Sequence, residues 1–236
     1  MTVAMLTAAG RGTRMGQDIP KQFLHVKEKP VIIHTLERFQ NNPQIDAILL
    51  ITLPNWVEFV WAYARQFGIT KLKWVVAGGE TGQESIHNGL VALQKELSED
   101  TVVMIHDGNR PMVDNDMISD SLAVFKKYGS AVAAIPCTEA VFRSADAVES
   151  TLSIPREELY RTQTPHTYTL GKLLWAHDEA AKRGISSTAA SCVLMCELGE
   201  KVYFSKGSEK NLKLTTLDDL EIFGALLAAE KNAWLK

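Results

Sequence analysis

Long apolar runs are missing from this chain. None of its 236 residues belongs to a stretch approaching the roughly 20 apolar residues that span a bilayer, and the longest clear run, Ala47–Leu53, has the length of a buried strand. No secretory leader is expected, because the apolar N-terminal stretch runs straight into a charged loop. Cysteine is scarce and odd in number. Cys137, Cys192 and Cys196 show no framework spacing, which points to reduced thiols and a cytoplasmic location. Cys192-x-x-x-Cys196 has the spacing of half a metal site, but nothing supplies the other half, so these thiols are expected to be buried and neutral. A strong charge of either sign is also lacking. The net charge of −3 argues against non-specific nucleic-acid binding. Internal repeats and low-complexity segments are absent as well. With 46% hydrophobic and 22% charged residues, the chain reads as one large globular domain, or one domain with an excursion.

Apolar runs alternate with helix-period segments. Strands are predicted at Val3–Leu6, Ala47–Leu53, Lys73–Ala77, Val102–Ile105, Ala131–Ile135 and Val202–Phe204. Helical stripes are carried by Val31, Ile32, Leu36 and Phe39, by Ile86, Leu90, Leu93 and Leu97, and by Met117, Ile118, Leu122 and Phe125. Leu217–Leu235 reads as a final helix with Asp218 and Asp219 in its first turn, where the helix dipole favours acids. This alternation predicts an α/β fold, a mostly parallel sheet with helices on both faces. The segment Pro136–Pro165 breaks the pattern and is read as a protruding arm, a hairpin able to pack on another subunit, with a disordered insertion as the blander alternative.

Four segments carry candidate chemistry. The first is Leu6-Thr7-Ala8-Ala9-Gly10-Arg11-Gly12-Thr13-Arg14-Met15-Gly16, followed by Pro20-Lys21-Gln22-Phe23. Its glycines let backbone N–H groups approach an anion, and Arg11, Arg14 and Lys21 neutralise it, as at a nucleoside triphosphate site. The loop is neither G-x-x-x-x-G-K-[ST] nor G-x-G-x-x-G, since Met15 stands three residues after Gly12, and the alternative is a glycine turn with solvated arginines. The second is His106-Asp107-Gly108-Asn109-Arg110-Pro111, at the carboxyl end of a predicted strand. There Asp107 suits a Mg²⁺–phosphate cluster or a ribose hydroxyl, and Arg110 either clamps a phosphate or closes the turn onto Asp107. In the third, Gly78-Gly79-Glu80-Thr81-Gly82-Gln83-Glu84-Ser85, the Ser85 hydroxyl either caps the following helix or contacts a base. The fourth runs from Lys206 to Thr216; a lysine such as Lys213 would reach the same rim, although a solvated lysine is the common case.

Together these segments resemble the cytidylyltransferase family that makes CDP-polyols. The family includes methylerythritol phosphate cytidylyltransferases of isoprenoid synthesis and ribitol-5-phosphate cytidylyltransferases of teichoic acid and capsule synthesis. The family's A-[AG]-G-x-G-x-R-M…P-K-Q pattern is present as Ala8 to Met15 and Pro20 to Gln22, H-D-x-x-R-P as His106 to Pro111, Gln-Thr-Pro as Gln163 to Pro165, and N-[IL]-K-[ILV]-T as Asn211 to Thr215. The resemblance covers essentially the whole chain and implies a single domain over 1–236 with a Rossmann-like, nucleotide-diphospho-sugar-transferase-like fold. The arm at 136–165 is implied to serve a homodimer. It also implies that CTP and a polyol phosphate are the substrates, with Mg²⁺ as cofactor and neither nucleic acid nor membrane as partner.

On this resemblance Arg14 and Lys21 hold the triphosphate and the leaving pyrophosphate, and Lys213 binds the α-phosphate. Ala8, Ala9, Gly10, Gly12, Gly79 and Ser85 contact the nucleotide, Asp107 orients the ribose or the metal cluster, and Arg156, with Arg110 as second candidate, binds the acceptor phosphate. The chain departs from the pattern on the acceptor side. An arginine expected three residues after Gly79 is Gly82, an Asp-Thr pair in the arm reads Glu139-Ala140, and a Thr-Asp-[Asp/Glu]-Ala element reads Ser187-Thr188-Ala189-Ala190. Leu159-Tyr160, Lys206-Gly207 and Leu214-Thr215-Thr216 lie closer to the ribitol-phosphate branch. The competing readings are a sugar-phosphate nucleotidyltransferase using UTP or another triphosphate, a non-catalytic nucleotide-binding protein, and a nicotinamide-dependent oxidoreductase weakened by the wrong glycine spacing.

Overall fold

The computed structural model describes residues 1–10 and 19–230. Strands β1 (Thr2–Ala8), β4 (Ala47–Thr52), β5 (Leu72–Ala77), β6 (Val102–Asp107), β7 (Ala131–Pro136), β10 (Tyr160–Thr169) and β11 (Phe204–Lys206) form one sheet in the order β11-β7-β10-β6-β1-β4-β5. All neighbours are parallel except β10, which runs antiparallel between β6 and β7. Two small hairpins complete the strands, β2 (His25–Val26) with β3 (Lys29–Pro30), and β8 (Val141–Arg143) with β9 (Leu152–Ile154).

Every residue of β4 is buried, as expected for a strand covered on both faces. The two-residue repeat of the strands then sorts side chains to two layers. Val3, Met5, Leu49 and Ile51 face one core with residues of α3 (Gly82–Gln94), α5 (Leu170–Lys182) and α6 (Ser191–Glu197). Ala4, Leu6, Ile48 and Leu50 face the other, with α1 (Val31–Gln40), α2 (Val57–Gln66) and α4 (Asn115–Tyr128). Helix ends follow local chemistry: the Thr81, Asp114 and Thr169 side chains accept from Glu84, Met117 and Lys172 N–H groups, and Gly129 ends α4 at φ 81°. The last helix, α7 (Leu217–Glu230), packs Phe223 against Val31, Met112 and Leu214. Among the described residues no helix is long and apolar enough to cross a membrane.

The predicted strands are present within a residue or two, except that the one placed at Val202–Phe204 lies at Phe204–Lys206. The structure adds β10, which no apolar run announces. Its residues are largely polar, and two of its buried threonines find side-chain partners: Thr167 Oγ1 lies 2.8 Å from Ser121 Oγ and Thr164 Oγ1 lies 3.0 Å from His106 Nδ1, whereas His166 Nε2 and Tyr168 OH have none among the described residues. The segment read as one arm from Pro136 to Pro165 is thus divided. The β8/β9 hairpin is exposed, whereas residues 160–165 belong to the main sheet. Of the thiols expected to be buried, Cys137 and Cys192 are, but Cys196 is exposed on the outer face of α6.

Candidate active site

Because β1, β5 and β6 are parallel, the loops after their carboxyl ends share one rim, the usual ligand side of such sheets. A cleft of about 790 Å³ opens there, lined by Ala8, Ala9, Gly10, Lys21, Gly79, Ser85, Asp107, Arg110 and Lys213. Two predicted contributors, Gly12 and Arg14, lie outside the described residues, as does Arg11.

The start of the first loop is held by Gln22, a buried side chain whose Nε2 donates to Ala8 O at 2.6 Å and to Gly10 O at 3.2 Å. Gly78 packs directly on this loop: a Cβ there would meet Ala9 Cβ at 2.3 Å, so only glycine lets the two rim loops touch. Of the two readings of Ser85, capping is not the one found. Thr81 caps α3, and the buried Ser85 Oγ accepts from Gly79 N–H at 3.0 Å, fixing the glycine turn.

At the end of β6, Asp107 gathers two cations on one oxygen. Arg110 Nε lies 2.9 Å and Lys213 Nζ 3.1 Å from Asp107 Oδ2. Burial alone would raise the Asp107 carboxyl, but the two cations outweigh it and hold the group well below the usual carboxylate range. Arg110 also donates to Asn211 O at 2.7 Å, so it closes the turn as well as lining the cleft. Buried His106 bridges Arg110 O and Thr164 Oγ1, each at 3.0 Å, and burial pushes its pKa down to about 4, leaving a neutral spacer.

The segment bearing Lys213 is tied down on both sides. Asn109 Nδ2 donates to Leu214 O at 2.6 Å, and Leu214 N–H donates to Asn109 O at 2.9 Å. The fully buried Asn211 donates to Gln163 Oε1 and Thr164 O, and Gln163 exchanges hydrogen bonds with Ser208. The register shift of β10 between Thr162 and His166 turns Gln163 and Thr164 toward these partners. The second segment (His106–Pro111), the fourth (Lys206–Thr216) and Gln163–Thr164 are therefore one hydrogen-bonded unit. Gln22, Asn109 and Thr164 were not singled out as site residues. Their signal was their type, since a side-chain amide or hydroxyl beside a glycine loop or a buried strand end must find partners.

Arg156 is not part of this cleft within one chain. It sits on the short turn after β9, exposed, with its guanidinium 3.0 Å from Thr138 O. Among the described residues no cluster of three His, Cys, Asp or Glu could hold a metal ion. Asp107 is the carboxylate beside Lys213. One carboxylate supplemented by triphosphate oxygens and water suits Mg²⁺, whose protein ligands are typically few.

A parallel sheet with a nucleotide-sized cleft at its carboxyl rim, cationic where β6 ends, is the architecture of a nucleotidyltransferase. The family described as IspD, 2-C-methyl-D-erythritol 4-phosphate cytidylyltransferase, matches residues 2–229, and the chain belongs to this cytidylyltransferase family. It is 42% identical over 229 residues to the ribitol-5-phosphate cytidylyltransferase of Lacticaseibacillus paracasei, covering 96% of this chain and 98% of that one. It is 35% identical over 234 residues to the 2-C-methyl-D-erythritol 4-phosphate cytidylyltransferase of Clostridium acetobutylicum, covering 99% of each. The 2-C-methyl-D-erythritol 4-phosphate cytidylyltransferase structure from Francisella tularensis superposes with a TM-score of 0.78 at 26% identity, over 95% of this chain and 98% of that one. The 4-diphosphocytidyl-2C-methyl-D-erythritol synthase structure from Anaerococcus prevotii shares the fold at TM-score 0.80 and 22% identity, over 96% and 98% of the two chains.

Proposed function

We propose that the protein transfers a cytidylyl group from CTP to ribitol 5-phosphate. An oxygen of the acceptor phosphate forms a bond to the α-phosphorus of CTP. The bond from that phosphorus to the oxygen bridging to the β-phosphate breaks, and pyrophosphate leaves with the electron pair. No nucleophilic side chain is needed, so catalysis consists of positioning and charge neutralisation. The observation that carries this reading is the Asp107–Lys213 pair at 3.1 Å, which aims a cation into the cleft from a segment locked at Asn109 and Asn211. Lys213 would meet the α-phosphate, Lys21 and Arg14 the departing pyrophosphate. Mg²⁺ would be held by phosphate oxygens with Asp107, adding charge neutralisation when bound.

The acceptor is chosen on the high identity to ribitol-5-phosphate cytidylyltransferases over nearly the whole chain. The second reading, 2-C-methyl-D-erythritol 4-phosphate as acceptor, is favoured by the family match and by the relative from Clostridium acetobutylicum. The exposed apolar side chains Phe142, Val148 and Leu152 on the hairpin fit an arm that packs on a second copy, bringing Arg156 to the partner's acceptor phosphate. Pyrophosphate release from CTP with ribitol 5-phosphate, methylerythritol 4-phosphate, xylulose 5-phosphate and glycerol 3-phosphate, read side by side, tests the assignment. Ribitol 5-phosphate should show the highest kcat/KM. Preference for methylerythritol 4-phosphate would install the second reading, and CTP binding without turnover would leave a nucleotide-binding protein. Loss of turnover in chelator and its return with Mg²⁺ tests the metal.

A further inference from the structure

The cleft is chemically lopsided. Its described cations, Lys21, Arg110 and Lys213, stand at the ends of β1 and β6, whereas the lining contributed by Thr188, Ala189, Ala190, Ser191, Val193 and Leu194 carries no formal charge. This neutral wall is a half-exposed connection between α5 and α6. Among the described residues, the hydrogen bonds that residues 186–189 make to another element all end on one side chain. Gln83 Oε1 accepts from Thr188 N–H at 3.0 Å and from Thr188 Oγ1 at 3.2 Å, and Gln83 Nε2 donates to Ile185 O at 2.8 Å. One carboxamide thus uses both of its ends to fasten the connection to the first turn of α3.

The residue beside it adds an independent observation. Gly82 opens α3 without a positive φ, and a Cβ built on it would meet nothing within 4 Å. No turn, strain or close approach requires glycine there. What the glycine leaves out is a side chain beside the clasp, just where the acid expected in the facing segment is Thr188. The missing charges at 82, 188 and 189 therefore lie beside one neutral contact. A carboxylate at 188 would face the Gln83 oxygen, acceptor against acceptor; turning the amide to meet it would give up the bond to Ile185 O.

We propose that Gln83 is a positioning residue for acceptor specificity: its carboxamide clasps residues 185–190 onto α3 and holds this wall of the cleft, uncharged opposite the Glu80 and Glu84 that line the cleft from the α3 side, in a form suited to the hydroxyls of a polyol chain, while the phosphate is met at the cationic end. This rests on the reading of the protein as a polyol-phosphate cytidylyltransferase. Gln83→Met keeps the side chain's length and removes both hydrogen bonds; Gln83→Glu keeps the half that accepts from Thr188.

Hydrogen exchange and steady-state kinetics on the full chain decide the matter. In Q83M the amide of Thr188 should exchange about three- to tenfold faster, the range expected for loss of a net hydrogen bond, with Q83E nearer the parent. The KM for ribitol 5-phosphate should rise about tenfold in Q83M while that for CTP moves less than about threefold, and Q83E, which brings a charge to the neutral wall, should not recover the loss even though it keeps the Thr188 contact. Unchanged exchange in Q83M would overturn the clasp, and equal shifts of both KM values would overturn its acceptor role. If the parent protein turns over no polyol phosphate, the functional reading and the acceptor role fail together, while the exchange result still decides the clasp.

Discussion

The two ends of the cleft are built by opposite means. At the cationic end, three sequence-distant segments interlock through buried amides, a neutral histidine and a carboxylate that neutralises two cations. At the far end a half-exposed connection is held by one glutamine, with alanines facing the space. On the proposed function the difference matches the two tasks. Charge that develops at phosphorus is stabilised only by dipoles and cations that need not reorganise, so the phosphate end must be rigid. Selection among acceptors depends on hydroxyl contacts, which a lightly tethered, uncharged wall can present without disturbing the phosphate end.

Removing a charge from the rigid end without touching its frame should give the largest effect. The Lys213 side chain is 44% exposed and its ion-pair partner among the described residues is Asp107, so Lys213→Ala should lower kcat about 10²–10³-fold with little change in melting temperature. A drop in stability as large as the drop in rate would show that Lys213 is part of the frame. The converse experiment is Asn211→Ala, which leaves every charge in place but takes one donor from Gln163 Oε1, which keeps Ser208 N–H, and the Asn211 donor from Thr164 O. It should cost about 1–3 kcal/mol in denaturant unfolding and carry kcat down with it. An unaltered unfolding midpoint would mean that the segment is not locked through this side chain.

Acid should act on the rigid end through its buried histidines. Burial pushes His106 and His166 down to about 4 from an ordinary 6.5. The unfolded chain therefore binds more protons than the folded one between these values, and stability is lost as pH falls from 6.5 toward 4. At pH 5 the loss should be roughly 1–2 kcal/mol for each histidine. Asp107 behaves otherwise: its depressed carboxyl contributes stability that persists through this window and is lost only below it. Denaturant titrations at pH 7 and pH 5 check the slope, and equal stabilities would contradict neutral burial. The smallest effect is expected on the arm. Arg156→Ala should raise the acceptor KM about tenfold with kcat nearly retained, and an unchanged acceptor KM would remove the arm from the site.

Much of the fold was readable because β1, β4, β5, β6 and β7 are apolar stretches between helical stripes, and a strand buried on both faces has no other way to be written. β10 was not readable, since its buried stretch includes the polar Gln163, Thr164, His166 and Thr167, and the two threonines find their partners only on α4 and β6. The site shows the same division. That Asp107 and Lys21 line one cleft was legible from charge placed at a strand end and after a glycine loop, whereas Lys213 rested on the Asn before it, the Thr-Thr after it and the family resemblance. For Ser85 the geometry set aside the capping role, since its hydroxyl holds the Gly79 turn, and Gln83 carried no signal, because a glutamine on a helix's first turn is ordinary until its partners are seen.

Taken alone, the sequence determined the alternation of strands and helices and the loops that carry charge, because both depend on neighbours within a few residues. The tertiary structure decided which charges meet and what holds them. Asp107 meets Lys213 across 106 positions, and Gln83 meets Thr188 across 105. Contacts at such separations are set by the antiparallel insertion of β10 and the packing of α5 and α6 on the sheet, which no local pattern encodes.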